Sequence, residues 1–155
     1  MVQLDDIDRQ LLELLQEDDR VPLVELSKRV GLAPSTINQR IKRLVSEGAI
    51  SGFHARLDPE RLGLGLLAFM MVGWSDPKVE PEFLKRVKAS RTVLECHHVT
   101  GVWNYLIKVR VRDTRELESF LAGTVKGVRG VERTDVIIIL STAKEEWALD
   151  ASAPV

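Results

Sequence analysis

The chain holds a single cysteine, Cys96, among its 155 residues. That excludes an internal disulfide and a zinc site built on a cysteine pair, and it suits a reducing compartment. Long apolar runs are missing too, and nothing approaches the roughly 18–20 residues that a membrane-crossing helix needs. The opening stretch, MVQLDDIDRQ, is acidic and polar, so it does not read as a signal peptide. A cytoplasmic protein with no membrane partner is the expectation. Gly-rich phosphate loops, Ser-His-Asp orderings, internal repeats and low-complexity segments are absent as well. The remaining absence is local: residues 31–44, GLAPSTINQRIKRL, contain no acid.

What is present is a soluble composition, 45% hydrophobic and 29% charged, enough for one ordinary domain or two small ones. The formal net charge of −1 hides a sorting of charge along the chain. From Asp5 to Glu25 there are eight acids against Arg9 and Arg20. From Lys28 to Arg56 there are six bases (Lys28, Arg29, Arg40, Lys42, Arg43, Arg56) against Glu47 alone. Local charge governs partners more than the total does.

Ile7, Leu11, Leu14 and Leu15 recur at helical spacing behind Asp5, Asp6 and Asp8, acids that suit the positive end of a helix dipole. After the polar EDDR, Pro22 can open a short second helix with Leu23, Leu26 and Val30 inward. Gly31 follows, where a helix end commonly turns left-handed. Pro34 suits the first position of a third helix, with Ile37, Ile41 and Leu44 inward and Gly48 as its stop. Helix, short Gly-containing turn, helix is the helix-turn-helix layout. The third helix then presents Ser35, Thr36, Asn38, Gln39 and Lys42 outward, with Arg40 and Arg43 on the flanks. Hydroxyls and amides can read base edges in a major groove, and Arg40, Lys42 and Arg43 are expected to supply phosphate affinity. Double-stranded DNA is the partner these residues imply. The following AISGFHARLD alternates roughly as a strand and reads as a small wing or a link, where His54 and Arg56 could also meet phosphate.

DPERLGLG (58–65) reads as a hinge. Beyond it the pattern changes to a continuous apolar strand (66–74), an amphipathic helix (79–90), strands at 93–99 and 103–111 joined by a TGV turn, a second helix (114–125) and a β-branched strand (130–141). The order β-α-β-β-α-β is the ferredoxin-like pattern. Its first strand, apolar throughout, reads as buried on both faces. The helices cover one face of the sheet, and the other face looks too apolar to stay wet, so a second copy of the chain is expected to cover it. The final residues, WALDASAPV, read as a loosely held tail on which Trp147 can dock.

The stretches LDDIDRQLLELLQEDDR, ELSKRVGLAPSTINQRIKRLVSEGAISGF, ARLDP followed by LG, and ECHHVTGVWNYLIKV together resemble the Lrp/AsnC (leucine-responsive, feast/famine) family of transcription regulators. The resemblance runs from Leu4 to about Thr142. It implies an α+β chain with an N-terminal helix-turn-helix, winged-helix-like domain (1–57), a hinge (58–65), a C-terminal ferredoxin-like RAM-type domain for dimerisation and effector binding (66–145) and a tail (146–155). It further implies a homodimer, an octamer of four dimers, and a small-molecule effector such as an amino acid bound where dimers meet. Carried over, the effector residues are Thr100, Gly101, Val102, Trp103, Asn104 and Tyr105, with Arg133 and Thr134 facing them. Three departures from the family pattern stand out. Val102 and Asn104 stand where an acid-x-acid pair is common, so an ammonium group would meet only a neutral oxygen. Ala33 replaces a capping Ser, forgoing on the order of 1 kcal/mol. Val21-Pro22 replaces a polar helix start.

An enzyme is the competing reading. Cys96, His97 and His98 are adjacent, yet alternation in a strand points His97 away from the other two, so a metal or nucleophile site does not assemble. Haem-biosynthesis decarboxylases resemble this family in fold, and His97, His98 and Arg133 are the groups such an enzyme would place around a tetrapyrrole. The reading adopted is a regulator with no catalytic residue, no metal and no cofactor.

Overall fold

The computed structural model describes residues 3–152. The outermost residues of the expected N-terminal domain and tail, 1–2 and 153–155, lie outside the described residues. The fold divides into two compact units, one holding the chain up to Arg56 and again from Lys144, the other spanning Leu57–Ala143.

The first unit is trihelical: α1 (Asp6–Glu17), α2 (Leu23–Val30) and α3 (Pro34–Ser46). Asp5 starts α1 by accepting from the Asp8 backbone N–H at 2.8 Å, while Asp8 Oδ2 accepts from the Asp5 N–H at 3.2 Å. This reciprocal box satisfies two donors that a bare helix end leaves open. Leu11, Leu26 and Ile37, one from each helix, form the centre of the core, with Ile7, Leu14, Leu15, Val30 and Ile41 packed around it. Pro22 lies just before α2 rather than inside it. Gly31 takes φ +77° and donates its N–H to the Ser27 carbonyl, a left-handed close that a side chain would strain. Ala33 makes no side-chain cap for α3, and Pro34, at the first helical position, contributes its pre-set φ instead.

One open reading narrows here and one expectation changes. Residues 49–57 form no strand, and Ser51–Leu57 are exposed throughout. Alternation alone does not make a strand, which needs a neighbour to pair its N–H and C=O groups. The segment is a link. The described part of the expected loose tail instead lies along the trihelical unit. Gln16 and Leu149 exchange hydrogen bonds (3.0 and 2.7 Å), and Arg9 donates to the Ala151 carbonyl at 3.0 Å. Arg56 donates to the Glu145 carbonyl at 2.6 Å and faces the Glu146 carboxylate at 3.8 Å. Trp147 stays 63% exposed.

The second unit is a four-stranded antiparallel sheet ordered β2-β3-β1-β4, from β1 (Leu66–Gly73), β2 (Val93–His98), β3 (Tyr105–Val111) and β4 (Arg133–Ile138). α4 (Glu80–Ala89) joins β1 to β2, and α5 (Thr114–Phe120), continued by a π-helical turn to Val125, joins β3 to β4. Both helices cover one face. Phe83, Val87, Leu117 and Phe120 pack on Ala68, Met70 and Val72 of β1 and on Ile107, Val109 and Val111 of β3.

The unbroken apolar run of β1 suggests burial on both faces, but within one chain the face away from the helices is only partly covered, with Leu67 buried at one end. On the opposite face, Phe69 and Met71 are half-buried beside Leu106 and the exposed Ile137. Lys108 lies in the middle of that face at 7% exposure, paired with Glu95 at 3.1 Å. Glu95 also meets His97 at 3.2 Å. Burial alone would raise the Glu95 carboxyl, but the His97 and Lys108 contacts outweigh it and hold the carboxyl below its ordinary range.

Candidate functional sites

The outward side of α3 is set by its buried stripe. With Ile37 and Leu44 inward, Ser35, Gln39, Lys42 and Ser46 are all exposed and follow each other at i, i+4, i+7 and i+11. Thr36 and Asn38 sit half-buried at its margins. Ser46 extends the face beyond the residues expected from the sequence, although the same periodicity reaches it; its hydroxyl donates to the Arg43 carbonyl at 2.9 Å.

Arg40 and Arg43 are placed differently. Arg40 Nη1 donates to Asp5 (3.0 and 2.7 Å) and to Asp8 Oδ1 at 2.8 Å. Arg43 Nη2 donates to Asp8 Oδ2, and its Nη1 lies 3.9 Å from Glu47. The Asp8 side chain is only 1% exposed, while those of Arg40 and Arg43 retain 27% and 39%. Burial pushes the Asp8 carboxyl upward, but hydrogen bonds from Arg43, Arg40 and the Asp5 backbone outweigh it, leaving Asp8 below its ordinary value. Hydrogen bonds donated to Asp5 and Asp8 raise the Arg40 guanidinium, and the one donated to Asp8 raises Arg43. Asp8 therefore ties α1 to α3 as an ionised carboxylate. Lys42 makes no hydrogen bond or ion pair with any described residue.

The second candidate is the connection between β2 and β3, residues 99–104. Val99 donates to the Asn104 carbonyl at 3.0 Å, and Asn104 donates its N–H to the Val72 carbonyl at 2.9 Å. Gly101 has φ +100°, a conformation L side chains rarely adopt. Val102 projects at 72% exposure. Arg133 folds back over the turn, its guanidinium 5.5 Å from the Trp103 ring centroid while Nη2 donates to the Val102 carbonyl. Gly73 makes room for this arm, since a Cβ there would stand 2.6 Å from Arg133 Nε. Asn104 Oδ1 accepts from the Trp74 N–H at 2.8 Å, so its neutral oxygen already has a structural partner.

Thr100, Gly101, Val102, Trp103, Asn104 and Arg133 thus share one corner of the unit. Tyr105 and Thr134 register with Val72 on the helix-covered side of the sheet. Tyr105 is a core residue, 5.7 Å from Trp74 and 5.2 Å from Phe83 between ring centroids, with its hydroxyl donating to Glu80 at 2.5 Å. Burial, helped by the Glu80 contact, pushes the phenol up to about 12.

The Cys-His-His run divides by strand alternation. Cys96 registers with Ile107 on the helix side, and His98 stacks on Tyr105 at 5.0 Å, while His97 meets Glu95 on the opposite side. Burial raises the Cys96 thiol, which is the wrong direction for a nucleophile. Among the described residues, no group of three His, Cys, Asp or Glu side chains is placed to hold a metal ion. No helix among them is long and apolar enough to cross a membrane.

Two family models match the chain, a winged helix-turn-helix DNA-binding model over residues 4–51 and the Lrp/AsnC ligand binding domain over residues 67–149. The HTH-type transcriptional regulator FL11 of Pyrococcus furiosus is 42% identical over 146 residues, covering 94% of this chain and 95% of its own. The proline dehydrogenase transcriptional activator of Rhizobium radiobacter is 40% identical, covering 92% of each. A transcriptional regulator from Neisseria meningitidis, solved as its complex with L-Met, superposes with a TM-score of 0.90 at 32% identity over 95% of this chain and 96% of that one. With half the chain matched by the ligand-binding model and these identities along nearly all of it, this protein belongs to the Lrp/AsnC family.

Proposed function

We infer that the chain is a sequence-specific DNA-binding transcriptional regulator that works as an oligomer and responds to a small molecule. The observation that carries this is the α3 stripe of Ser35, Gln39 and Lys42, exposed on a trihelical unit that matches a winged helix-turn-helix model. With Thr36 and Asn38 beside it, the stripe supplies donors and acceptors for base edges in the major groove. The half-buried apolar residues on the uncovered sheet face support a homodimer closed through that face, and the family supports four dimers in an octamer. Two α3 helices per dimer then enter successive major grooves of a roughly palindromic site.

Thr100, Gly101, Val102, Trp103, Asn104 and Arg133 are the proposed effector corner, with Tyr105 and Thr134 supporting it from within the sheet. The Neisseria relative holds L-Met, so amino acids are the first class to screen. An effector at a contact between dimers acts by favouring one assembly over another. A DNA partner and the presence of a single cysteine support a cytoplasmic location. The tetrapyrrole alternative has no support, because His97 and His98 diverge across the sheet and the relatives above are regulators.

The deciding experiment is a gel shift of the full chain across a salt series, on its own upstream DNA and on duplexes selected from a random pool, with unrelated duplex as competitor. Competitor-resistant binding that weakens steeply with salt is expected. Failure to enrich any sequence from the pool would refute the reading.

A further inference from the structure

Resting on the DNA-binding reading above, we propose that Arg40 and Arg43 make no phosphate contact: they are positioning residues that lock the recognition helix onto α1 through Asp8, and Lys42 is the α3 cation that meets the DNA backbone. Both oxygens of the buried Asp8 carboxylate are committed, Oδ1 to Arg40 and Oδ2 to Arg43 and the Asp5 N–H. A phosphate that draws either guanidinium off Asp8 strips counter-charge from a buried carboxylate, and one that meets the remaining N–H groups sits in the field of the Asp5, Asp8 and Glu47 carboxylates. That penalty exceeds what a solvated phosphate contact returns.

Access argues the same way. A phosphate approaching Arg40 Nη1 must come alongside the Asp5 carboxylate, which is 53% exposed and only 2.7 Å from that nitrogen. Lys42 instead lies in the exposed stripe with Ser35, Gln39 and Ser46, and it has no acid partner among the described residues. A count of α3's basic residues therefore overstates its electrostatic footprint.

The test is the salt dependence of duplex binding by full-length variants, each first checked for native folding by circular dichroism. Lys42→Gln is expected to flatten the slope of log K against log salt by about 0.9 for each phosphate that Lys42 neutralises. Arg40→Gln and Arg43→Gln are expected to leave the slope unchanged, a readout that a general loss of stability does not mimic. A slope flattened by either Arg variant as much as by Lys42→Gln overturns the assignment. Should an Arg variant not fold, the native protein decides by NMR. The guanidinium signals of Arg40 and Arg43 are expected to stay put when duplex is added while the Lys42 ammonium moves, and a shift of the guanidinium signals overturns the proposal. A native protein that binds no duplex at all refutes the DNA-binding reading itself, and this assignment with it.

Discussion

Asp8→Ala tests how much of the trihelical unit rests on one carboxylate. Deleting one partner of a buried ion pair costs about 3–5 kcal/mol when the other charge stays buried. Here the orphaned guanidinium groups are 27% and 39% exposed and can be hydrated, which lowers the expectation to about 2–3 kcal/mol, the missing half of the capping box included. For a helical unit of this size each kcal/mol moves the midpoint by roughly 4–8 °C, so a fall of about 10–20 °C is expected. Thermal unfolding by circular dichroism reads the shift. Hydrogen exchange at α1 and α3 shows which unit loses protection, since the two need not unfold together. The effect also has a pH signature. Asp8's carboxyl lies below its ordinary value of 3.8 in the folded chain. Its stabilisation is therefore complete above about pH 4 and drains away as the pH falls through the lower folded value. The stability gap between native protein and variant should narrow in acid. A midpoint within about 3 °C of native at neutral pH, with unchanged exchange in α1, would refute the reasoning.

Three further outcomes follow from the sheet unit. Tyr105 is the only tyrosine in the chain, so ultraviolet titration reads it directly, and no phenolate should appear near pH 10 while the fold persists; ionisation at the ordinary value would place Tyr105 outside the core. Asn104→Asp keeps the acceptor for the Trp74 N–H and adds a negative charge, so any α-amino acid that binds at this corner should bind about 2–5-fold more tightly by calorimetry, the coupling of one partly screened ion pair. Unchanged affinity would remove Asn104 from the effector's ammonium contact. Phe69→Glu places a charge in the middle of the uncovered apolar face beside Lys108, and sedimentation should show dimers giving way to monomers. A dimer as tight as native would locate the self-contact elsewhere.

Much of the architecture can be read from periodicity and punctuation. Pro34 and Gly31 mark the turn before α3 because one presets φ and the other tolerates a positive one. The change from helical to strand spacing after residue 65 marks the second unit. The 49–57 link resembles a strand only locally, because alternation says nothing of whether a partner strand is at hand. The place in the fold of the proposed effector residues is half legible. Residues 100–104 lie together on the turn, but Tyr105 begins β3, and its parity with Ile107, Val109 and Val111 assigns it to the covered side of the sheet. The support from Gly73, Trp74 and Arg133 comes from two other strand ends, and only the register β3-β1-β4 brings them to the turn.

The recognition helix shows the limit of reading one helix at a time. A helical wheel separates inward from outward, and on that basis Arg40 and Arg43 look available to DNA. What stands opposite them comes from α1, about thirty residues earlier, whose acids the helix dipole already accounts for. That account suffices for Asp6, which is exposed. It does not suffice for Asp8, because Asp8, Leu11 and Leu15 fall at i, i+3 and i+7 on the apolar stripe itself. An acid on a buried stripe is stable only beside cations or several donors. In a trihelical unit whose first helix packs on its third, the nearest bases at matching height are those flanking Ile37, Ile41 and Leu44. A carboxylate out of place in α1 thus identifies two arginines of α3 as its partners, and on the proposal above Lys42 is the α3 cation left to meet a phosphate.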